Sequence, residues 1–228
     1  MKINRSSRAL VLACAAVLAL PACGDVSISM GGKSLMVAGS GVLATSARDV
    51  PVFTAIETSG TGKVVLRVGE AQSVKITADD NLLPYLTSEV QNGVLKLGVS
   101  SGISTKKSIS YEITAPKIER LENTGSVSLN ATGIAGPALT LNASGTGSIV
   151  LSGKVESFTA SLSGVGSLEA DKLIAERVSA DVSGVGSAEV RAEKSLKANV
   201  SGVGSVKWRG AATDVSKNVS GIGSVSKG

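Results

Sequence analysis

The sequence predicts an all-β solenoid, a β-helix in which each coil of chain takes about 19–20 residues. Three observations predict this fold. A glycine motif recurs at nearly constant spacing, apolar and polar residues alternate on both sides of it, and the 228 residues include only five aromatic side chains. Alternation around a fixed turn indicates strands that meet at a corner, and stacked coils would bury a continuous core of small side chains.

The first 22 residues have the features of an export signal. Lys2, Arg5 and Arg8 supply positive charge. They precede an unbroken run of small and apolar residues, 9–20, which is too short to span a bilayer but suits the apolar part of a secretory signal. We therefore expect residues 1–22 to be a signal peptide that is removed on export.

A cysteine stands at the predicted cleavage site. The segment Leu20-Pro21-Ala22-Cys23 resembles a lipobox, where a bacterial signal peptide is cut before a cysteine that receives lipid. We expect Cys23 to carry that lipid and to anchor the chain in a membrane of the cell envelope. Gly24 follows rather than Asp, which favours the outer over the inner membrane if the host obeys the enterobacterial sorting rule. In the alternative, an ordinary signal peptide is cut nearby and Cys23 is incidental.

Two stretches of the exported chain differ in their residue pattern. Residues 23–47 have no sustained period and are interrupted by Gly31-Gly32 and Gly39-Ser40-Gly41, which predicts a lipidated flexible tether. Short β-like runs begin at about residue 48. The solenoid domain is therefore expected over residues 48–228.

Composition and charge exclude several classes of function. Without the three basic residues of the signal, the chain has 20 basic and 18 acidic residues and no basic run, so nucleic acid is not an expected partner. Histidine is absent, which excludes a Ser-His-Asp site and a typical zinc site. Cys23 is the one cysteine left after the signal, so no internal disulfide is expected. No cofactor is predicted.

The first part of the domain predicts strands, one helical turn and a hairpin. Residues 64–68 and 73–77 are rich in β-branched side chains and are split by a Gly-Glu pair, which predicts two consecutive strands. Asp80 or Asn81 is a suitable cap for a single helical turn. Asn92-Gly93 separates two further β-rich runs and is a strong hairpin signal, because both residues accept positive φ.

The pattern Gly-x-Gly-Ser recurs through the second half of the chain. Diverged copies precede it at residues 60–63, where Lys replaces Ser, and at residues 123–126, where Asn123 replaces the first glycine. In this alignment the second glycines, counted from Gly125, step by 22, 19, 20, 18 and 19 residues. The predicted corner glycines are Gly60, Gly62, Gly125, Gly145, Gly147, Gly164, Gly166, Gly184, Gly186, Gly202, Gly204, Gly221 and Gly223.

Each glycine pair leads into a strand rather than a helix, so it predicts a structural corner and not a phosphate-binding loop. A polar column stands three residues before the first glycine of each pair. It is either a ligand-binding ladder or, as we favour, a set of side chains that hydrogen-bond the corner or one another. The column comprises Asn142, Ser161, Asp181, Asn199 and Asn218.

The densest acidic cluster of the chain is Asp79-Asp80-Asn81. Its carboxylates would suit a hard cation such as calcium. Helix capping and exposure to solvent explain the same residues more simply, so no metal site is predicted.

Several of these segments together resemble one known family. They are Phe53-Thr54-Ala55-Ile56-Glu57-Thr58-Ser59-Gly60, the stretch from Val64 to Asn81, and Glu89-Val90-Gln91-Asn92-Gly93-Val94-Leu95, followed by the glycine coils. In this order they are similar to the putative auto-transporter adhesin, head GIN domain family, a domain of unknown function in envelope proteins, over roughly residues 48–226. The resemblance implies a single-stranded right-handed β-helix, and the family name suggests adhesion. Nothing after the repeats resembles an autotransporter's translocator, so the lipid at Cys23 is the expected anchor.

Two hypotheses of function follow. We favour a non-enzymatic lipoprotein of the cell envelope that binds a surface glycan or an envelope protein along a solenoid face, or that has a structural role. The alternative is a polysaccharide-active enzyme, by analogy with the lyases and hydrolases that other β-helices carry. The charged residues are scattered, so no catalytic residue is predicted. The last repeat shows no evident polar cap, and weak end-to-end self-association through its open edge is a further hypothesis.

Overall fold

Successive repeats of the chain stack on one another as parallel strands. The computed structural model describes residues 36–228, and these form a β-solenoid of about five turns. The predicted all-β solenoid is therefore confirmed. In chain order the strands are β1 (Val37–Ala38), β2 (Leu43–Arg48), β3 (Ala55–Thr58), β4 (Thr61–Val68), β5 (Ser73–Asp79), β6 (Leu86–Gln91), β7 (Val94–Val99), β8 (Ile103–Ser104), β9 (Ser110–Ala115), β10 (Arg120–Asn123), β11 (Ser126–Ala143), β12 (Thr146–Leu162), β13 (Val165–Val182), β14 (Val185–Val200), β15 (Val203–Arg209), β16 (Asp214–Val219) and β17 (Ile222–Lys227).

The long strands β11 to β14 each follow most of one coil, and each pairs in parallel with the next. β15 and β16 both stack on β14, and β17 stacks on β15. Among residues 36–228 no helix is long and apolar enough to cross a membrane. The predicted signal peptide, Cys23 and the first part of the predicted tether lie outside the described residues.

Inward side chains form apolar columns along the stack. Because side chains alternate across a strand, buried residues recur at every second position along much of β11 to β14, and the alternation is interrupted where the strands shift register. Columns of larger and smaller side chains stand side by side, which keeps the interior narrow. One column consists of Leu139, Phe158, Val178 and Leu196, and its neighbour consists of Leu141, Ala160, Ala180 and Ala198. Each fully buried large aliphatic side chain contributes about 1.5–3 kcal/mol relative to exposure.

The N-terminal end of the solenoid adds antiparallel strands to the parallel stack. β4 and β5 confirm the two predicted strands, but β9 lies between them, parallel to β4 and antiparallel to β5. The predicted hairpin is also confirmed: β6 and β7 pair across Asn92 and Gly93, whose φ angles are 53° and 75°. The helical turn is a 3₁₀ helix at Asp80–Tyr85. Its predicted cap is wrong, because Asp79 is the N-cap residue and no side chain caps the turn.

The folded chain begins earlier than residue 48. β1 pairs in parallel with β8, and β2 pairs antiparallel with β5 over its whole length. The predicted tether is therefore wrong for residues 37–47. The physical reason is the exposed edge of β5, whose backbone N–H and C=O groups need partners that β2 supplies.

The pairing also corrects the alignment of one repeat. Ser126 pairs with Thr61 below and with Thr146 above, so Gly125 is the first glycine of its corner and not the second. Val127, which is buried, takes the second glycine's place. With this correction the first glycines from Gly125 step by 20, 19, 20, 18 and 19 residues, and the irregular step of 22 disappears.

Candidate functional site

The backbones of successive coils approach one another closely at the glycine corner. A Cβ atom built on Gly164 would lie 1.9 Å from the carbonyl oxygen of Gly145, and one built on Gly186 would lie 1.8 Å from that of Gly166. Close backbone approach therefore requires glycine at these positions. Positive φ is not the general reason for glycine at the corner, because Gly166 lies outside the left-handed region. Gly147, in contrast, has a φ of +139°. The same close approach recurs at Gly125, Gly145, Gly147, Gly166, Gly184, Gly202, Gly204, Gly221 and Gly223.

The residue between the two corner glycines points outward and stacks in register from coil to coil. We call this column the corner ridge. It consists of Thr61, Ser126, Thr146, Val165, Val185, Val203 and Ile222. The three members nearest the N-terminal end carry hydroxyl groups, whereas the other four are β-branched aliphatic residues. Val165 and Ile222 are 53% and 76% exposed, so the aliphatic part is open to solvent.

An open groove lies beside the hydroxyl-bearing part of the corner ridge. One wall comes from Met36, Val99 and Ile103, next to the two-stranded ribbon β1–β8. The floor is the corner of the first three coils. The groove has a volume of about 950 Å³, including its open mouth, and none of its lining residues is charged. It therefore combines an apolar wall with a neutral polar floor.

Two hydroxyl ladders form the groove floor. Thr61, Ser126 and Thr146 make the first ladder, and all three are exposed. The second ladder is formed by the exposed residues that precede each first glycine, namely Ser59, Thr124 and Ser144. Coils are about 4.8 Å apart in a solenoid, so each ladder repeats a hydroxyl group at that interval. Sequence reasoning missed this site because it depends on the pairing of β1 with β8, whose residues are far apart in the chain.

The predicted polar column exists and is longer than expected. Its members pair in register, and it continues through Glu122, Glu57 and Lys96 toward the N-terminal end. The Asn199 amide donates to a carboxylate oxygen of Asp181, and Lys96 Nζ lies 3.7 Å from Glu57 Oε2. Contacts of this kind along the stack support the structural interpretation of the column.

Asp79 is buried and binds backbone groups of two segments. Its carboxylate accepts hydrogen bonds from the N–H of Gly41 at 2.7 Å, of Lys106 at 3.0 Å and of Lys107 at 3.3 Å. Burial raises the pKa of this carboxyl group, but the three hydrogen bonds outweigh burial and hold the pKa below its usual value of 3.8.

The other two residues of the acidic cluster hold the same N-terminal segment. Ser40 Oγ donates to Asp80 at 2.5 Å, and the Asn81 side chain donates to the carbonyl oxygen of Ala38 at 2.8 Å. Within residues 36–228 there is no group of three or more His, Cys, Asp or Glu side chains that could hold a metal ion. The cluster anchors residues 38–41 to the domain, which replaces the capping role that we predicted.

Two surface carboxyl groups are held in their ionised form. A hydrogen bond from Lys194 at 2.8 Å lowers the pKa of Glu176, and a hydrogen bond from Arg191 at 2.7 Å lowers that of Glu193. The general acid of a glycoside hydrolase needs a raised pKa instead. These two residues are therefore unsuited to that role.

Comparison with known proteins gives one family and several structures. Residues 52–212 match the family model described as "Putative auto-transporter adhesin, head GIN domain". The chain is similar to the crystal structure of a putative adhesin from Bacteroides fragilis, with 24% identity and a TM-score of 0.70 over 84% of this chain and 99% of that one. This likeness shows a shared fold.

Two further structures overlap less well. A putative adhesin from Parabacteroides merdae has 21% identity and a TM-score of 0.48, and a putative lipid binding protein from Parabacteroides distasonis has 19% and 0.49. Each match covers 85% of this chain and 99% of the other. The comparison with curated proteins found no match.

Proposed function

We propose that this chain, which belongs to the putative auto-transporter adhesin, head GIN domain family, is a non-enzymatic adhesin-like protein of the cell envelope whose ligand is a neutral glycan. The observation that carries the proposal is the uncharged groove beside the corner ridge. Its hydroxyl ladders and apolar wall match the two kinds of surface that a sugar chain presents.

The chemistry of the groove favours a neutral polyhydroxylated ligand. Hydroxyl groups both donate and accept hydrogen bonds, so the floor formed by Thr61, Ser126 and Thr146 can pair with sugar hydroxyls in either direction. The apolar wall offers Met36 and Ile103 to the C–H faces of a sugar ring. Binding sites for small ligands commonly combine such apolar walls with a few polar groups that fix orientation. A charged ligand would find no counter-charge in this lining.

A change within the corner ridge tests this site without disturbing the fold. Thr61→Val and Thr146→Val remove two hydroxyls and create the residue that the same column carries as Val165 and Val185. We expect the double variant to bind the glycan at least about tenfold more weakly, which corresponds to about 1.4 kcal/mol. The measurement is a glycan array screen with the exported chain, followed by calorimetric titration of the best ligand.

The matched control adds a hydroxyl outside the groove. Val185→Thr makes the aliphatic part of the ridge resemble the floor, and we expect it to leave glycan affinity unchanged. Equal affinity of the wild type and the Thr61→Val/Thr146→Val variant would place binding elsewhere. Capture of an envelope protein without any glycan would favour a protein ligand, and turnover of a glycan abolished by one acidic or basic substitution would contradict the non-enzymatic proposal.

We further propose that a lipid on Cys23 anchors the chain, with Gly24 directing it to the outer membrane in hosts that use the enterobacterial rule. The lipobox-like segment before Cys23 supports this proposal. Labelled fatty acid should appear in the wild-type protein and be absent from Cys23→Ser. Labelling that persists in Cys23→Ser would refute lipidation at this residue, and fractionation of the membranes tests the location separately.

A further inference from the structure

The final coil carries two lysines at positions that face the core in the preceding coils. β16 pairs with β14 so that Lys217 lies opposite Ala198, and β17 pairs with β15 so that Lys227 lies opposite Trp208. Ala198 and Trp208 are both buried. The register of the final coil therefore places one lysine in each of two columns whose other members are apolar.

Both lysines cover the indole ring of Trp208. Lys227 Nζ lies 4.7 Å from the ring centroid, and Lys217 Nζ lies 6.0 Å from it. A cation at such distances is attracted to the ring face, while the aliphatic stems shield the ring from water. Trp208 is only 4% exposed although a single coil covers it. Within residues 36–228 these lysines give the last coil a polar cover that we did not recognise in the sequence.

The strands that carry the lysines form an open edge. Among residues 36–228, β16 pairs only with β14 and β17 pairs only with β15, so each has one unpaired side. Val219 and Ile222 on these strands are 42% and 76% exposed. Such an edge can accept a strand from another chain, and inward-pointing charge is one means by which natural proteins prevent this.

We propose that Lys217 and Lys227 close this end of the solenoid against a second copy of the chain, and that their removal turns the end into a self-pairing surface. Two copies related by a two-fold axis through the last corner would pair β16 of one copy antiparallel to β17 of the other, and the reverse, which is a self-complementary contact. In the wild type this contact would bury four ammonium groups against one another, and their repulsion and lost hydration oppose it. On this proposal the lysine-bearing end does not self-pair, which is the opposite of the weak end-to-end self-association hypothesised from the sequence.

The test replaces each lysine by an apolar residue that stands earlier in its own column. Lys217→Ala copies Ala198, and Lys227→Val copies Val190, which pairs with Trp208. The exported chain with Cys23→Ser, which removes the predicted lipid, is used throughout. We expect sedimentation velocity to show self-association of the Lys217→Ala/Lys227→Val variant with an apparent dissociation constant at least about tenfold below that of the lysine-bearing chain. Trp208 fluorescence reports whether the final coil is involved.

Controls separate the position of the charge from its amount. Lys217→Arg with Lys227→Arg keeps both charges and should remain monomeric. Lys197→Ala with Lys207→Ala removes two exposed, outward-facing lysines and should also remain monomeric. If the Ala/Val variant aggregates or misfolds, Lys217→Ser with Lys227→Ser is measured instead, and self-association is again expected.

A well-folded uncharged variant that stays monomeric at every concentration would overturn the proposal. So would a lysine-bearing chain that already dimerises through β16 and β17. Self-association of the Lys197→Ala/Lys207→Ala control to the same extent would show that net charge matters rather than the inward position, and would also overturn it.

Discussion

Alanine at Gly164 should destabilise the solenoid, whereas alanine at the equivalent Gly60 should not. Both residues are the first glycine of a corner, and neither has a φ in the left-handed region. They differ in what lies beneath them. A Cβ on Gly164 would lie 1.9 Å from the Gly145 carbonyl oxygen, whereas a Cβ on Gly60 would meet Val99 Cγ2 at 3.5 Å and Tyr111 Oη at 3.8 Å, which are ordinary contacts.

The magnitude follows from the hydrogen bonds at the corner. Relief of the clash at Gly164 requires the coils to separate by more than about 1 Å, because a carbon atom needs about 3.2 Å or more from a carbonyl oxygen. The Gly164 N–H donates to Ala143 at 3.2 Å, and the Val165 N–H donates to Gly145 at 3.1 Å. Separation of that size breaks both hydrogen bonds and strains their neighbours, so we expect a loss of about 2–4 kcal/mol at about 1 kcal/mol per bond plus lost packing.

Urea denaturation followed by circular dichroism measures this difference. Gly60→Ala should lie within about 1 kcal/mol of the wild type, on the stabilising side if reduced freedom of the unfolded chain dominates. Equal destabilisation by the two substitutions would refute the argument that backbone approach between coils fixes glycine at the corner. A small effect of both would show that the coils can separate at little cost.

Three further predictions follow from single residues. Gly166→Val should destabilise the fold more than Gly164→Ala does in the same denaturation assay. A Cβ on Gly166 would lie 1.9 Å from the Gly147 carbonyl oxygen, and the branched side chain adds bulk. A Gly166→Val variant as stable as the wild type would contradict this prediction. The ionised Asp79 carboxylate stabilises the fold at pH values above its usual pKa of 3.8, and this contribution is lost as the pH falls through the lowered folded-state pKa. Hydrogen exchange should therefore show the Gly41 amide losing protection in acid, and Asp79→Asn should show reduced protection already at neutral pH; protection that is equal in both chains would exclude the anchoring role. Burial raises the pKa of Tyr111 to about 12, and the positive charge of Arg48 partly opposes this increase. The Tyr111 hydroxyl has no hydrogen-bond partner within residues 36–228. Tyr111→Phe should therefore be about 1 kcal/mol more stable at neutral pH and should lack the wild type's loss of stability above pH 10, where the unfolded chain ionises first; identical pH profiles from pH 8 to 12 would count against a buried neutral phenol.

Local features of the sequence were sufficient for much of the fold. The glycine spacing and the period-2 alternation predicted stacked coils, because corner glycines and inward residues are set by neighbours along the chain. The Asn92-Gly93 hairpin was predictable for the same reason, since its positive φ angles of 53° and 75° suit only a few residue types. The inward position of Lys217 could also have been predicted from the sequence, because Val215, Lys217 and Val219 alternate with outward-facing residues.

The alignment of the repeats depended on the tertiary structure. Sequence comparison aligned Gly125 with the second glycines, because the Gly-Ser pair was the best local match. The structure instead stacks Gly125 on Gly60 and places Val127 opposite Gly62. Register is decided by which carbonyl and N–H groups meet between coils, and no single repeat contains that information.

The candidate site likewise required contacts between distant segments. The sequence by itself determined the solenoid, its corners and the absence of histidine chemistry, because these depend on residue type and on spacing along the chain. Only the tertiary structure placed Met36 and Ile103 beside the hydroxyl ladders, inserted β9 between β4 and β5, and folded residues 37–47 onto the domain. Pairing between segments 26 to 66 residues apart depends on edges that are left open when the rest of the chain has folded, and local preferences do not specify those edges.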